Sequence, residues 1–430
     1  MSTADTIFAL SSGAPPAAIA IIRISGPAAF DAVRVLAGRV PDPRRASLAS
    51  LKNSAGVELD RALVLTFPGP ESATGEDLAE LHLHGGRAVV RAVEAALAVL
   101  PGLRQAEAGE FTRRAFLNGR IDLNEAEGLA DLLSAETEWQ RRAAASMMGG
   151  AFSKAVEAWR LEVLRLSAMT EAELDFSDEG DVDSQDNINI SSGCIELHDA
   201  IVDLLAAPAA EKLRDGLRVV LGGPPNSGKS TLLNALVARE AAIVSDIAGT
   251  TRDMIEVPVS LEGIPFVFTD TAGLRDTTED VIEAIGIERT RVAMDVADII
   301  LWLGDEGGAP DHEHVIEVEA KCDSPNHAKK GDYAFRVSAL SGEGMNGLVC
   351  HIIATAKTLL PPPDQFAVNQ RQRLLLADCA SALSDASLSK DWLIVAEHLR
   401  QARLSLDSLT GRAHTEDMLD MLFGRFCIGK

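Results

Sequence analysis

Long apolar runs are missing from this chain. Hydrophobic residues make up 47% of its 430. None of their runs approaches the roughly 18 residues a spanning helix needs, so no membrane segment is expected. The start, Met1-Ser2-Thr3-Ala4-Asp5-Thr6, has no basic stretch followed by an apolar core. No secretory leader is therefore expected. Cysteine is sparse: Cys194, Cys322, Cys350, Cys379 and Cys427 lie far apart with no C-x-x-C pair. That excludes a disulfide framework or a zinc site as the organising device and fits a reducing, cytoplasmic setting. Positive charge is in deficit, 40 Lys and Arg against 64 Asp and Glu, for a net charge of −24. Such a chain does not coat nucleic acid by bulk electrostatics, so a nucleic-acid substrate would need a local basic patch or a basic partner. Repeats of 20–50 residues are also absent.

What is present is a phosphate loop. Gly223-Pro224-Pro225-Asn226-Ser227-Gly228-Lys229-Ser230 fits G-x-x-x-x-G-K-[ST]. Leu217 to Leu221 before it read as a buried strand, and Thr231 to Val237 after it as a helix. Gly228 lets the backbone approach phosphate oxygens, and the helix N-terminus aims N–H dipoles at them. Lys229 supplies a point charge to the outer phosphates, and the Ser230 hydroxyl can ligate Mg²⁺.

Around this loop the chain divides into four stretches. Residues 1–118 read as mixed α/β, with strands over Ala18–Ile24, Ala62–Phe67 and the alternating Leu78–His84, and helical composition over 88–100. Residues 119–213 are helical, with Val156, Trp159, Val163 and Leu166 on one face and a break at Gly149-Gly150. Glu171 to Asp183 carries seven carboxylates. An exposed acidic loop is the expectation there, with a metal site as the alternative. Residues 214–360 alternate strand and helix, as a doubly wound domain does, with strands at Leu217–Leu221, Phe266–Thr269, Ile299–Leu303, Val315–Val318 and Tyr333–Val337. Residues 361–430 are helical again after Pro361-Pro362-Pro363. The simplest architecture is a nucleotide domain inserted into a helical one.

Further short motifs follow in order. Asp270-Thr271-Ala272-Gly273 ends a strand, where a carboxylate suits Mg²⁺ and a glycine N–H suits a γ-phosphate. A hydroxyl of Gly249-Thr250-Thr251 can close the Mg²⁺ shell. Lys321-Cys322-Asp323 and Ser338-Ala339-Leu340 fit base-reading elements. The Asp323 carboxylate can accept from both N1–H and the exocyclic amine of guanine, which adenine does not offer together. GTP is therefore expected over ATP.

These runs resemble the MnmE (TrmE) family of tRNA modification GTPases. The likeness rests on the loop with Asn226, on Ser245-Asp246-Ile247-Ala248-Gly249-Thr250-Thr251-Arg252-Asp253, and on Asp270 to Arg275. It extends to Thr74–Glu80, His84-Gly85-Gly86, Gly109–Leu123 and the terminal Phe426-Cys427-Ile428-Gly429-Lys430. The resemblance implies an N-terminal α+β folate-binding and dimerisation domain, a discontinuous helical domain and an inserted Ras-like P-loop G domain. It implies a homodimer that joins an FAD-containing MnmG-type partner in a heterotetramer or larger complex. With tRNA as substrate and a tetrahydrofolate as one-carbon source, that complex would add an aminomethyl or carboxymethylaminomethyl group to the wobble uridine.

Carried over by position, the nucleotide contacts fall on Asn226 to Thr231, including Ser227, on Ser245, Asp246, Ile247, Ala248, Gly249, Thr250 and Thr251, and on Asp270 to Gly273. Lys321, Asp323, Ser338, Ala339 and Leu340 complete them. K⁺ would lie on Asn226 and Thr250 with the carbonyls of Ser245 and Ile247, and Mg²⁺ on Ser230 and Thr251. Lys229 and Glu283 would be catalytic, Glu283 by polarising the attacking water. Folate would meet Arg23, Glu80, Arg120 and Lys430. Read without the family, Asn226 is an ordinary loop amide, Glu283 a solvated acid at a helix start, and the four folate residues surface charges. Cys427 is either a reactive thiol or a structural residue.

One departure stands out. The usual N-K-x-D reads Ala320-Lys321-Cys322-Asp323 here. The missing amide removes a base contact and a tether to the phosphate loop, which bears on affinity more than on base identity. A regulatory GTPase switch acting in ribosome assembly is the competing reading; it would require neither the N-terminal folate residues nor the Cys-Ile-Gly-Lys end.

Overall fold

The computed structural model describes residues 5–176, 184–239, 255–270, 291–325, 327, 329–331, 334–362, 365–413, 416–424 and 426–429. The chain forms two compact units: Met1–Ala130 with Asp407–Lys430, and Asp131–Leu406.

The first unit is built on a sheet of six strands. They are β1 (Thr6–Leu10), β2 (Ile19–Ser25), β3 (Ser47–Lys52), β4 (Glu58–Phe67), β5 (Leu78–His84) and β6 (Leu103–Gln105), in the order β3-β4-β5-β2-β1-β6. All neighbours are antiparallel except β1 and β6. Alternation sorts each strand into two faces. On one face Ile22, Ile24, Val64, Leu81 and Leu83 pack against Val33 and Leu36 of α1 (Ala29–Ala37) and Val90, Val93 and Leu97 of α2 (Arg87–Ala98). Arg23, Glu80 and His82 therefore point to the other face.

Helices α3 (Glu110–Leu117) and α4 (Leu123–Ser134) follow, and α13 (Glu416–Phe423) closes on them. Leu123, Ala126, Leu419, Phe423 and Phe426 form one buried cluster. Leu419 and Phe423 form the buried face of this helix, and Leu422 packs beside them. Beyond the helix, Ile428 bridges to Ala108.

The second unit combines a helical bundle with a second six-stranded sheet. The helices are α5 (Glu138–Met148), α6 (Ala151–Phe176), α7 (Ser184–Leu205), α8 (Ala210–Asp215), α11 (Gln370–Leu388) and α12 (Trp392–Thr410). Gly150, at φ 73°, separates α5 from α6 as expected. Phe152, Val156, Val163 and Leu166 of α6 are buried, as are Cys194 and Ile201 of α7, Cys379 and Leu383 of α11, and Leu399 of α12. The acidic stretch needs correcting. Glu171 to Phe176 continue α6, and Glu173 is 8% exposed, so this half is helix and not loop. Residues 177–183 lie outside the described residues.

The second sheet runs β12-β11-β10-β7-β9-β8. Its strands are β7 (Leu217–Gly222), β8 (Ile255–Leu261), β9 (Ile264–Asp270), β10 (Ile299–Trp302), β11 (Val315–Ala320) and β12 (Phe335–Val337), with α9 (Lys229–Arg239) and α10 (Met345–Leu359). All pairs are parallel except β8 with β9. The last strand is described from Phe335, and the expected start at Tyr333 lies outside the described residues. The core is one apolar cluster that includes Val219, Leu221, Phe266, Phe268, Leu301, Val318, Leu348 and Ile352. Ala143 of α5 joins it, and Trp139 donates its backbone N–H to the Gly263 carbonyl at the β8–β9 turn (3.1 Å). Among the described residues no helix is long and apolar enough to cross a membrane.

Candidate functional site

In the second unit the site grows from the parallel sheet. Strands β7 and β9 end side by side, with Leu221 in register with Asp270. The chain leaves β7 through Gly223, whose φ of 140° brings the backbone against the Leu303–Gly304 peptide; a Cβ there would lie 2.8 Å from the Gly304 nitrogen. It turns at Gly228 (φ 106°) and enters α9 at Lys229. This is the strand–loop–helix setting that the motif needs. Lys229 is 5% exposed, and its ammonium donates to the carbonyls of Gly223 and Pro224, both at 2.9 Å. The Ser230 hydroxyl donates to the Asp270 carboxylate. A hydroxyl and a carboxylate that converge at the loop are hard oxygen donors of the kind Mg²⁺ takes.

A second cleft opens beside the loop, with a volume of about 240 Å³. Gly228, Thr231, Ala320, Lys321, Asp323, Ala339 and Leu340 line it. The structure thus brings together the motif residues from α9, from the end of β11 and from the loop after β12. Ser338 is fully buried and holds that last loop, accepting at its carbonyl from Gly342 N–H (2.9 Å) and at its hydroxyl from Ser341 N–H (3.1 Å). Asn226 and Ser227 lie in the phosphate loop itself. Ser245, Asp246, Ile247, Ala248, Gly249, Thr250, Thr251, Thr271, Ala272, Gly273 and Glu283 lie outside the described residues.

In the first unit Arg23 and Glu80 face each other in register across β2 and β5. The guanidinium donates to one Glu80 oxygen through Nη2 at 2.9 Å and Nε at 3.2 Å, and lies 5.8 Å from the Phe111 ring centroid. His82 Nε2 meets the other oxygen at 3.2 Å. Burial alone would raise the Glu80 pKa, but the hydrogen bonds and charges of Arg23 and then His82 outweigh it and hold it below the ordinary value. Arg120 is exposed in the turn after α3, its stem against Gly75. Lys430 lies outside the described residues. Its neighbour Gly429 packs so closely on β1 that a Cβ would lie 2.0 Å from the Leu10 carbonyl oxygen. Cys427 is exposed.

Comparison with known proteins turns this geometry into a family. Residues 6–120 match the N-terminus of the GTP-binding protein TrmE, and residues 123–427 match the MnmE helical domain. The tRNA modification GTPase MnmE of Novosphingobium aromaticivorans is 56% identical over 435 residues, covering 99% of this chain and 100% of that protein. Its counterpart in Rhizorhabdus wittichii is 57% identical over 432 residues, covering 100% and 97%. The chain belongs to the MnmE family of tRNA modification GTPases. As an MnmE-family protein it is a GTP-hydrolysing enzyme.

Within the MnmE family pattern, Ala320 leaves the loop before Asp323 without its usual amide. The two loops are joined all the same: Lys321 Nζ donates to the Asn226 carbonyl at 2.5 Å. Sequence reasoning missed that contact, and it also missed Leu232 and Val337, which line the cleft as apolar walls. Leu232 follows Thr231 in the first turn of α9, which was its one available signal. On the first unit it missed His82, detectable from its i, i+2 spacing to Glu80 on a strand, and Phe111.

Proposed function

We propose that this chain is a K⁺-dependent GTPase. With an FAD-containing MnmG-type partner it would add an aminomethyl or carboxymethylaminomethyl group to C5 of the wobble uridine of certain tRNAs, using a tetrahydrofolate one-carbon unit. The observation that carries the reading is likeness end to end, at 56% identity over 99% of the chain, to tRNA modification GTPases.

The roles follow from the chemistry of the residues. Lys229 neutralises the outer phosphates, and Ser230, with Thr251, holds Mg²⁺. Asn226 and Thr250, with the carbonyls of Ser245 and Ile247, hold K⁺, which would offset negative charge in the transition state as an arginine finger does elsewhere. Asp323 reads guanine, and Glu283 polarises the attacking water. Arg23, Glu80, Arg120 and Lys430 form the folate site. The Glu80 carboxylate suits a pterin's paired N–H donors, and the cationic residues suit its glutamate tail. We assign residues 1–118 to folate binding and dimerisation, 119–213 and 361–430 to the helical domain, and 214–360 to the inserted G domain. The homodimer works in the cytoplasm.

The test is nucleoside analysis of tRNA from a strain lacking the gene. The modified wobble nucleoside should disappear and return with the wild-type copy. An unchanged nucleoside profile would overturn the proposal.

A further inference from the structure

The loop that carries Asp323 is held from outside by a cluster that no motif contains. Glu319, on β11, is 2% exposed. One of its oxygens accepts from His327 Nε2 (2.9 Å) and Arg336 Nε (2.9 Å), and the other accepts from the Lys330 backbone N–H (2.8 Å). His327, its side chain 7% exposed, also places Nδ1 2.6 Å from the Ser324 carbonyl, so both ring nitrogens face oxygen acceptors. Lys330 continues the cluster, its ammonium on Glu317 and on the Trp302 carbonyl (2.8 Å). The Lys330 N–H first, and then His327 and Arg336, hold the Glu319 carboxyl below its ordinary pKa, as suits an ionised anchor.

We propose that His327 is a positioning residue for guanine recognition, clamping the segment after Asp323 onto the strand before it. Glu319, Asp323 and His327 stand four residues apart in turn. The chain leaves β11 at Ala320, turns through Lys321 to Ser324, and is drawn back to Glu319 by the imidazole. Asp323 itself is exposed, so nothing in its own burial fixes its direction. Ala320 brings no amide to hold the turn from inside. Lys321 ties the turn's first residue to the phosphate loop, and His327 ties its last, Ser324, to the sheet. Removing the imidazole takes one donor from the buried carboxylate and one from the Ser324 carbonyl; the Cys322 N–H on the Val337 carbonyl (3.2 Å) still holds the start of the turn, so the loosening falls on its Asp323–Ser324 end.

This proposal rests on the reading that Asp323 accepts from guanine, and the experiment separates the two. GDP, IDP and XDP affinities are measured by titration calorimetry for the full-length wild type, His327→Ala, His327→Gln and Asp323→Asn, together with GTP turnover at saturating GTP. Inosine lacks the exocyclic amine, so IDP has less to lose from a misdirected Asp323. His327→Ala should weaken GDP about tenfold, narrow the GDP-over-IDP preference and leave kcat near wild type. His327→Gln keeps one donor and should recover part of the affinity. Unchanged GDP affinity in His327→Ala overturns the proposal, as does an equal proportional loss for GDP and IDP with a lowered kcat. Asp323→Asn should favour XDP over GDP. If it does not, the base-reading assignment itself fails, whatever His327 does.

Discussion

Asn226 and Lys321 both hold φ at 60°, a region side chains other than Gly and Asn seldom occupy, and they meet where the Lys321 ammonium reaches the Asn226 carbonyl. Asn adopts this region readily, so the backbone strain at the contact falls on Lys321. If K⁺ lies against Asn226, GTP turnover should fall strongly when Na⁺ replaces K⁺, because the smaller ion fits the same oxygens poorly. Asn226→Ala should abolish the difference, and equal wild-type rates in the two salts would refute the assignment. A second residue-level effect concerns acid. The folded-state pKa of Glu80 lies below its ordinary value of 4.5. Its pairing therefore stabilises fully above that value and is lost as pH falls through the lower, folded one. The thermal stability gap between wild type and Glu80→Gln should be open at pH 7 and close progressively below about pH 4.5. A gap that stays constant into acid would show that the ionisation of Glu80 contributes nothing to the folded state.

Elements meet in the first unit through glycine. Gly109, at φ 67°, caps α3, and a Cβ on it would lie 2.3 Å from the Phe423 carbonyl oxygen in α13. Gly109→Ala combines a left-handed backbone with a backbone clash and should cost about 2 kcal/mol or more. Gly13→Ala, with open space around it, should be near neutral. Denaturant titration of the two variants decides the matter. The bundle of the second unit makes its own prediction. Burial pushes the Cys194 thiol up to about 11 and that of Cys379 up to about 12, so both should resist a thiol reagent in the native protein while exposed Cys350 and Cys427 react. Mass spectrometry of the labelled sites reads the pattern. Much of this architecture was legible. β7, β9, β10 and β11 are apolar runs of strand length, and β5 alternates over the expected residues. β8 was not legible, because Pro258 interrupts Ile255–Leu261; it is tolerated there because β8 is an edge strand, paired only with β9. β3 lacks clean alternation and β6 has only three residues, so neither stands out. Motif spacing delivered Gly228, Thr231, Lys321, Asp323, Ala339 and Leu340 of the cleft, but not its apolar walls Leu232 and Val337. The Lys321 tether and the Glu319–His327 clamp were invisible, since each depends on which side chains a fold brings face to face.

Taken as a whole, the molecule keeps the phosphate loop in one unit and Arg23, Glu80 and the tail beyond Phe426 in the other. Deleting Cys427–Lys430 removes Ile428 from Ala108 and Gly429 from β1. It should impair tetrahydrofolate binding and wobble-uridine modification while GTP hydrolysis largely survives. Equal loss of both activities in the truncated protein would show that the two units do not divide the labour this way. The same division has a consequence for how the protein is made. The first unit is assembled from Met1–Ala130 and Asp407–Lys430, with the whole second unit synthesised between them. At about 5–20 residues per second, a ribosome spends roughly 15–55 s on that interval. Throughout it the six-stranded sheet can form, but Phe116, Leu123 and Ala126 wait with their apolar faces open for Leu419, Phe423 and Phe426. The second unit can finish folding first, and the first domain to leave the ribosome is the last to be sealed.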